Sequence, residues 1–216
     1  MATAIGARGI RRVFRSVLWF YAVSLFAFGV LRWLEVQGAS TTPEPTDFNT
    51  RYVQHPWVAF GHIVPGVVFV LAAPLQLSRQ LRRRNLALHR AVGWMAGGAG
   101  AVSAVLAVIF GLLYPWGGLA EQTAAVVFGV YMALALAVGI RAARNHDMTK
   151  HRRWMIRAVS VAVGVATIRL VLVATESLGI ASFDEAFGWG FWVGLVINAA
   201  IAELWLARWP SSPSLR

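Results

Sequence analysis

Six apolar runs, each about as long as a membrane span, divide this chain of 216 residues and leave it little freedom in how to fold. A helix needs about 20 predominantly apolar residues to cross the hydrocarbon core of a bilayer. Lipid offers no hydrogen bonds, so each run has to satisfy its own backbone and therefore becomes a helix. The runs cover about 13–34, 57–77, 91–114, 123–140, 154–178 and 189–207. Composition points the same way, with 58% hydrophobic and 13% charged residues, where soluble proteins have roughly 45–50% apolar and about 25% charged. The expectation is an all-α integral membrane bundle of six transmembrane helices, a single domain over 1–216, with 35–56 as an extracytoplasmic loop. The first run is longer than the hydrophobic part of a signal peptide, so it reads as a retained helix.

Most of the 20 Lys and Arg fall on one side of this arrangement. Arg8, Arg11, Arg12 and Arg15 lie at the start of the first helix. Arg79, Arg82, Arg83, Arg84 and Arg90 lie between the second and third helices. Arg141, Arg144, Lys150, Arg152, Arg153 and Arg157 lie between the fourth and fifth or just inside the fifth, and Arg208 and Arg216 follow the sixth. Basic residues stay on the cytoplasmic face during insertion, which puts both termini in the cytoplasm. Glu35, Glu44, Asp47, Glu121, Glu176, Asp184 and Glu185 fall on the opposite side. The long loop there, rich in Thr, Pro and Glu, reads as irregular at its start. The basic side also suits anionic phospholipids, which attract such clusters. The net charge of +11 is accounted for by topology, without nucleic acid.

Charged and polar groups inside apolar spans are costly and mark partners or cavities. Arg157 and Glu203 each lie about one turn inside the basic side, so they are expected to pair. Arg169 is too deep to snorkel easily, and His62 should reach a similar depth. Glu176, seven residues after Arg169, shares its helix face. His62, Arg169 and Glu176, with Tyr131 and Asn198, are the candidate binding residues for an anionic small molecule, lipid or cofactor; the alternative is a hydrogen-bonded network locking the helices. Pro65 and Pro74 interrupt the second span. Gly93 and Gly97 form a face that lets another helix come close.

A weak internal echo joins two basic turns. Arg84-Asn85, His89-Arg90 and Trp94-Met95 are matched by Arg144-Asn145, His151-Arg152 and Trp154-Met155. His89 and His151, with Arg90, Arg152 and Arg153 nearby, are the cytoplasmic-side candidates and the candidate histidine pair for haem b, although both stand at the membrane rim rather than within the apolar layer. The chain has no cysteine, which excludes disulfides and thiolate metal sites. It also has no HExxH, Walker A, dinucleotide-binding or serine-elbow motif, so neither hydrolase nor nucleotide chemistry has support.

Several stretches together resemble a bacterial membrane family known as domain of unknown function 2306. They are "GHIVPGVVFVLAAPLQLSRQLRRRNLALHRAVGW", "KHRRWMIRAVSVAVGVATIRLVL" and "NAAIAELW". The family-like positions are His62, Pro74 to Leu77, His89-Arg90, His151 to Trp154, Arg157, Arg169, Asn198 and Glu203. An Ala stands where the family more usually has Gly before the proline. The resemblance implies a multi-helix membrane fold and supplies no substrate. Three classes of function remain open: a small-molecule or lipid binder using the His62–Arg169 region, a haem- or quinone-linked redox protein, and a non-catalytic accessory subunit of a larger membrane complex.

Overall fold

A computed structural model describes residues 2–38 and 48–208. Among these the protein is all-helical: α1 (Ala2–Gly38), α2 (Thr50–Gln54), α3 (Pro56–Gln76), α4 (Arg79–Arg84), α5 (Leu86–Leu113), α6 (Gly118–Arg144), α7 (Met148–Ser177) and α8 (Phe183–Arg208). Six stretches are long and apolar enough to cross a membrane: Ser16–Gly38 within α1, and α3, α5, α6, α7 and α8. Large apolar side chains such as Phe20, Leu31, Val105, Leu134, Val173 and Leu204 point outward along these helices. The hydrocarbon of a bilayer covers such a surface without penalty, as water cannot. The protein is an integral membrane protein.

The long helices outrun their apolar windows because polar caps lie beyond them. The Asn85 side chain accepts a hydrogen bond from Leu88 N at 2.8 Å, starting α5 five residues before the apolar window. Asp147 accepts one from Lys150 N at 2.9 Å and starts α7 six residues before its window. Such caps satisfy backbone donors that a helix start leaves free. His89 and His151 each fall four residues after their cap. The two turns otherwise differ, since Asn145 lies in the turn and His146 takes a left-handed conformation with φ of 59°. The long loop also departs from expectation. Glu35 to Gly38 still belong to α1, and Thr50–Gln54 form α2. Glu44, Asp47 and Arg216 lie outside the described residues, as do the side chains of Arg8, Arg11, Arg12 and Arg15.

Helix α7 sits innermost, against α6, α8, α3 and α1; α5 packs between α3 and α6; α1 is peripheral, meeting α3 and, less extensively, α7. The turns bring the arginines of α4, the starts of α5 and α7 and the ends of α6 and α8 to one end, called the basic end here. Arg144 of α6 accordingly stacks over Trp94 of α5 at 5.0 Å. The other end carries Glu35, Glu121, Glu176, Asp184 and Glu185 and is the acidic end.

Small residues set the closest approaches. A Cβ at Gly194 would lie 2.7 Å from the backbone nitrogen of Ile168, and one at Gly164 would lie 2.8 Å from Leu195 Cδ2. Gly93 and Gly97 do not serve one neighbour. Gly93 faces Gln76 of α3, whereas Gly97 faces Ile140 of α6, because α5 is wedged between those two helices. Overpacking a tight contact costs about 1–3 kcal/mol, more where backbone cannot yield. Gly194→Ala should therefore lower the melting temperature of purified protein in mild detergent. Gly98→Ala, whose Cβ would meet open space, should leave it unchanged or slightly raised. Equal melting temperatures for the two variants would refute this packing.

Candidate functional site

Between α1, α3, α5, α6, α7 and α8, on the acidic side, the helices enclose a cavity of about 370 Å³. That volume falls in the range of small-molecule sites, roughly 300–1,000 Å³. Arg32, Arg51 and Arg169 all line it. Among the described residues they are the cations that lie away from the basic end, so each departure from the charge rule leads to this one cavity.

Arg51 is the most elaborately held. It is only 9% exposed, and its Nη1 donates to Glu121 Oε1 at 2.9 Å and to the Tyr114 carbonyl at 3.2 Å. Four rings surround the guanidinium, those of Phe48, Tyr52, Phe110 and Phe187, with centroids at 4.6–5.2 Å. Glu121 is 2% exposed, and its other oxygen accepts from the backbone nitrogens of Trp116 and Gly117 at 2.6 and 2.8 Å. The pair thus ties α2 to the first turn of α6 with both charges compensated. No motif marks Arg51 in the sequence, where it stands in a polar loop. The legible clue is an arginine on the acidic side, beside aromatic residues.

Arg32, on α1, is also matched. It pairs with Glu35 at 2.8 Å, donates to the Asn49 side chain and lies 4.8 Å from the Tyr52 ring centroid. Arg169 on α7 differs. Its guanidinium lies 4.2 Å over the Phe28 ring. It has no acidic partner within ion-pair distance among the described residues, and its buried Nε, like that of Arg51, has no hydrogen-bond acceptor. Glu176 lines the same cavity two turns further out, exposed at the rim.

His62 forms the facing wall on α3. Its Nδ1 lies 3.0 Å from both the carbonyl and the hydroxyl oxygen of Ser103. A carbonyl only accepts, so Nδ1 carries the proton. The Ser103 hydroxyl in turn donates to the His62 carbonyl at 2.9 Å. A Cβ at Gly66 would lie 2.8 Å from that hydroxyl oxygen, so the clasp needs glycine there. With Nδ1 engaged, Nε2 is the ring nitrogen left for the cavity, an acceptor while the imidazole is neutral.

Two expected members of this site lie elsewhere. Tyr131 is about a quarter turn around α6 from the lining stripe of Glu121, Ala124, Phe128 and Met132. It interacts instead with Arg157 and Glu203 near the basic end. Asn198 Nδ2 donates to Thr167 Oγ1 at 2.7 Å and to the Gly194 carbonyl at 2.9 Å, joining α8 to α7. Thr167 reaches Tyr21 of α1 at 3.4 Å. That is a helix-locking network outside the cavity.

At the basic end Arg157 and Glu203 meet in a two-pronged pair, Nε to Oε1 at 2.6 Å and Nη2 to Oε2 at 2.8 Å, with Trp154 stacked 4.8 Å from the guanidinium. His151 Nδ1 donates to the Gly139 carbonyl at 2.9 Å, while His89 Nδ1 is buried without a partner. Neither histidine lines the cavity. Arg90, Arg152 and Arg153 stand alongside at the helix starts, and Arg152 feels the charges of Arg79 and Arg82. No cluster of three or more His, Cys, Asp or Glu suited to a metal occurs among the described residues.

A family model described as a predicted membrane protein, domain of unknown function 2306, matches residues 59–206. The chain belongs to this family. The match takes in α3 from Ala59 onward, and with it His62, Glu121, Arg169 and Glu176; α1 and α2 lie before it. No curated protein and no solved structure matches the chain.

Breaking a buried ion pair costs about 3–5 kcal/mol, because one charge is stranded. Glu121→Ala should therefore destabilise the protein strongly, and Arg51→Met with Glu121→Leu should cost clearly less than the sum of the single changes. Strict additivity of the melting-temperature losses would count against a coupled Arg51–Glu121 pair.

Proposed function

We propose that this family member binds a small anionic ligand in the cavity between His62 and Arg169, as a membrane carrier or receptor. The observation that carries the reading is the unpaired Arg169. An isolated cation removed from water costs several kcal/mol, and such groups in membranes face a partner or a cavity. Arg32, Arg51 and Arg157 each have a carboxylate. Arg169 has an aromatic face and open volume beside it. An anion entering from the acidic end supplies the missing charge, and guanidinium suits carboxylate or phosphate through paired N–H donors. His62 Nε2, on the facing wall, accepts a hydrogen bond from a ligand hydroxyl.

The basic end belongs to the cytoplasm of a bacterial inner membrane in this reading, by the placement of Lys and Arg. Its arginines meet anionic phospholipid headgroups. The mouth of the cavity then opens to the extracytoplasmic side.

Gentle purification followed by mass spectrometry tests the site. Wild-type protein should carry a co-purifying anion, and Arg169→Gln should reduce its occupancy at least tenfold, a loss of about 1.4 kcal/mol or more. Undiminished occupancy in folded Arg169→Gln protein would overturn the proposal.

A further inference from the structure

The cavity has a polarity gradient that goes beyond an anion site. Its polar lining ends at Arg169, His62 and Ser103. Deeper toward the middle of the bundle it is bounded by Leu25, Val70, Met132, Val161, Val165 and Leu195, with no polar side chain. On α7 the lining continues for eight residues from Arg169 to Val161, about 12 Å at the helical rise. The same depth is reached on α3 at Val70, on α6 at Met132 and on α8 at Leu195. A small hydrophilic anion would leave this inner part empty of any matching group. Water there would find no polar partners, and an apolar void of this kind stays dry.

From this gradient we infer that the ligand is a single-chain amphiphile: a carboxylate head, or a phosphate monoester bound in its singly protonated, monoanionic form, at Arg169, with a hydrocarbon tail running inward to Val161 and Met132. The inference rests on the anion-binding reading above and adds the ligand's class. One charge is called for because Arg32 and Arg51 already have Glu35 and Glu121. One chain is called for because about 370 Å³ is a small-molecule volume and a two-chain phospholipid would have to keep most of itself outside. The surrounding bilayer supplies molecules of this chemistry. The peripheral α1 contributes Leu25, Phe28 and Arg32 to the wall.

Full-length protein in phosphatidylcholine nanodiscs, with binding to empty nanodiscs subtracted, provides the test. The probes are acetate, hexanoate, octanoate, palmitate, octyl phosphate and octanol. Affinity should rise with chain length by about fourfold per methylene and level off once the tail fills the inner space. Ala162→Phe, near the tail end, and, separately, Val165→Phe, midway along the tail, should move that levelling-off to shorter chains. Octanoate or octyl phosphate should bind at least tenfold more tightly than octanol, and whichever is tighter identifies the head as carboxylate or phosphate. If octanoate binds no better than acetate, the tail is wrong and the anion site stands. If octanol equals octanoate, the anion site is wrong and both proposals fall. A levelling-off unchanged in both phenylalanine variants places the tail elsewhere and overturns the inference.

Discussion

The structure depends on a solvent that cannot answer a charge. In water, an arginine on a helix needs no partner; in hydrocarbon it needs a carboxylate, an aromatic face, a route to the surface or a ligand. That requirement sorts the cations of this protein. Those at the basic end reach the membrane surface. Arg157, one turn in, holds Glu203 with two hydrogen bonds and lies against Trp154. Arg51 and Arg32 are matched at the acidic end. What remains is Arg169, and the cavity lies beside it.

The matched pairs also build the cavity mouth. Glu121 would be an ordinary first-turn acid of α6, favoured there by the helix dipole. It becomes a fastening because its oxygens hold both Arg51 and the turn nitrogens of Trp116 and Gly117. Arg51 brings α2 inward, and with it Phe48 and Tyr52. The Phe48 ring then packs with Trp116, Phe183 and Phe187 at centroid distances of 5.2–5.4 Å. One buried pair and its aromatic surround thus join the loop after α1 to the starts of α6 and α8, at the level where a ligand would enter.

Much of the fold is legible in the sequence, because lipid makes hydropathy a direct reporter of span number. The six spans and their depth relations follow from it, and depth was enough to bring Arg157 to Glu203. Rotation about a helix axis is harder to read. Tyr131 and His62 differ from expectation in this respect: both are polar residues within spans, but α6 turns Tyr131 toward α7 and α8 while α3 turns His62 toward the cavity. Weak amphipathicity hides that choice, since lipid and helix interior are both apolar. Asn198 is a similar case, spent on Thr167 rather than on a ligand. Arg51 escaped for the opposite reason. A loop arginine looks solvated, and only the contacts with Phe48, Phe110, Glu121 and Phe187 reveal that it is buried.

His62 and Arg169 owe their positions to different kinds of constraint, and the difference bears on function. His62 is fixed: Ser103 engages its Nδ1 and its carbonyl, and Gly66 leaves room for the clasp. Pro65 removes the backbone donor that would serve the Gly61 carbonyl, one residue before His62. Arg169 is held by nothing comparable, having only the Phe28 face. A helix-locking role would engage both side chains with neighbouring helices, as Asn198 and Thr167 are engaged with each other. Instead one wall of the cavity is preorganised with a single free nitrogen, and the other carries a long side chain with free donors. That combination orients a ligand on the rigid side and lets the arginine adjust to it, at low entropic cost because only one side chain has to be ordered on binding.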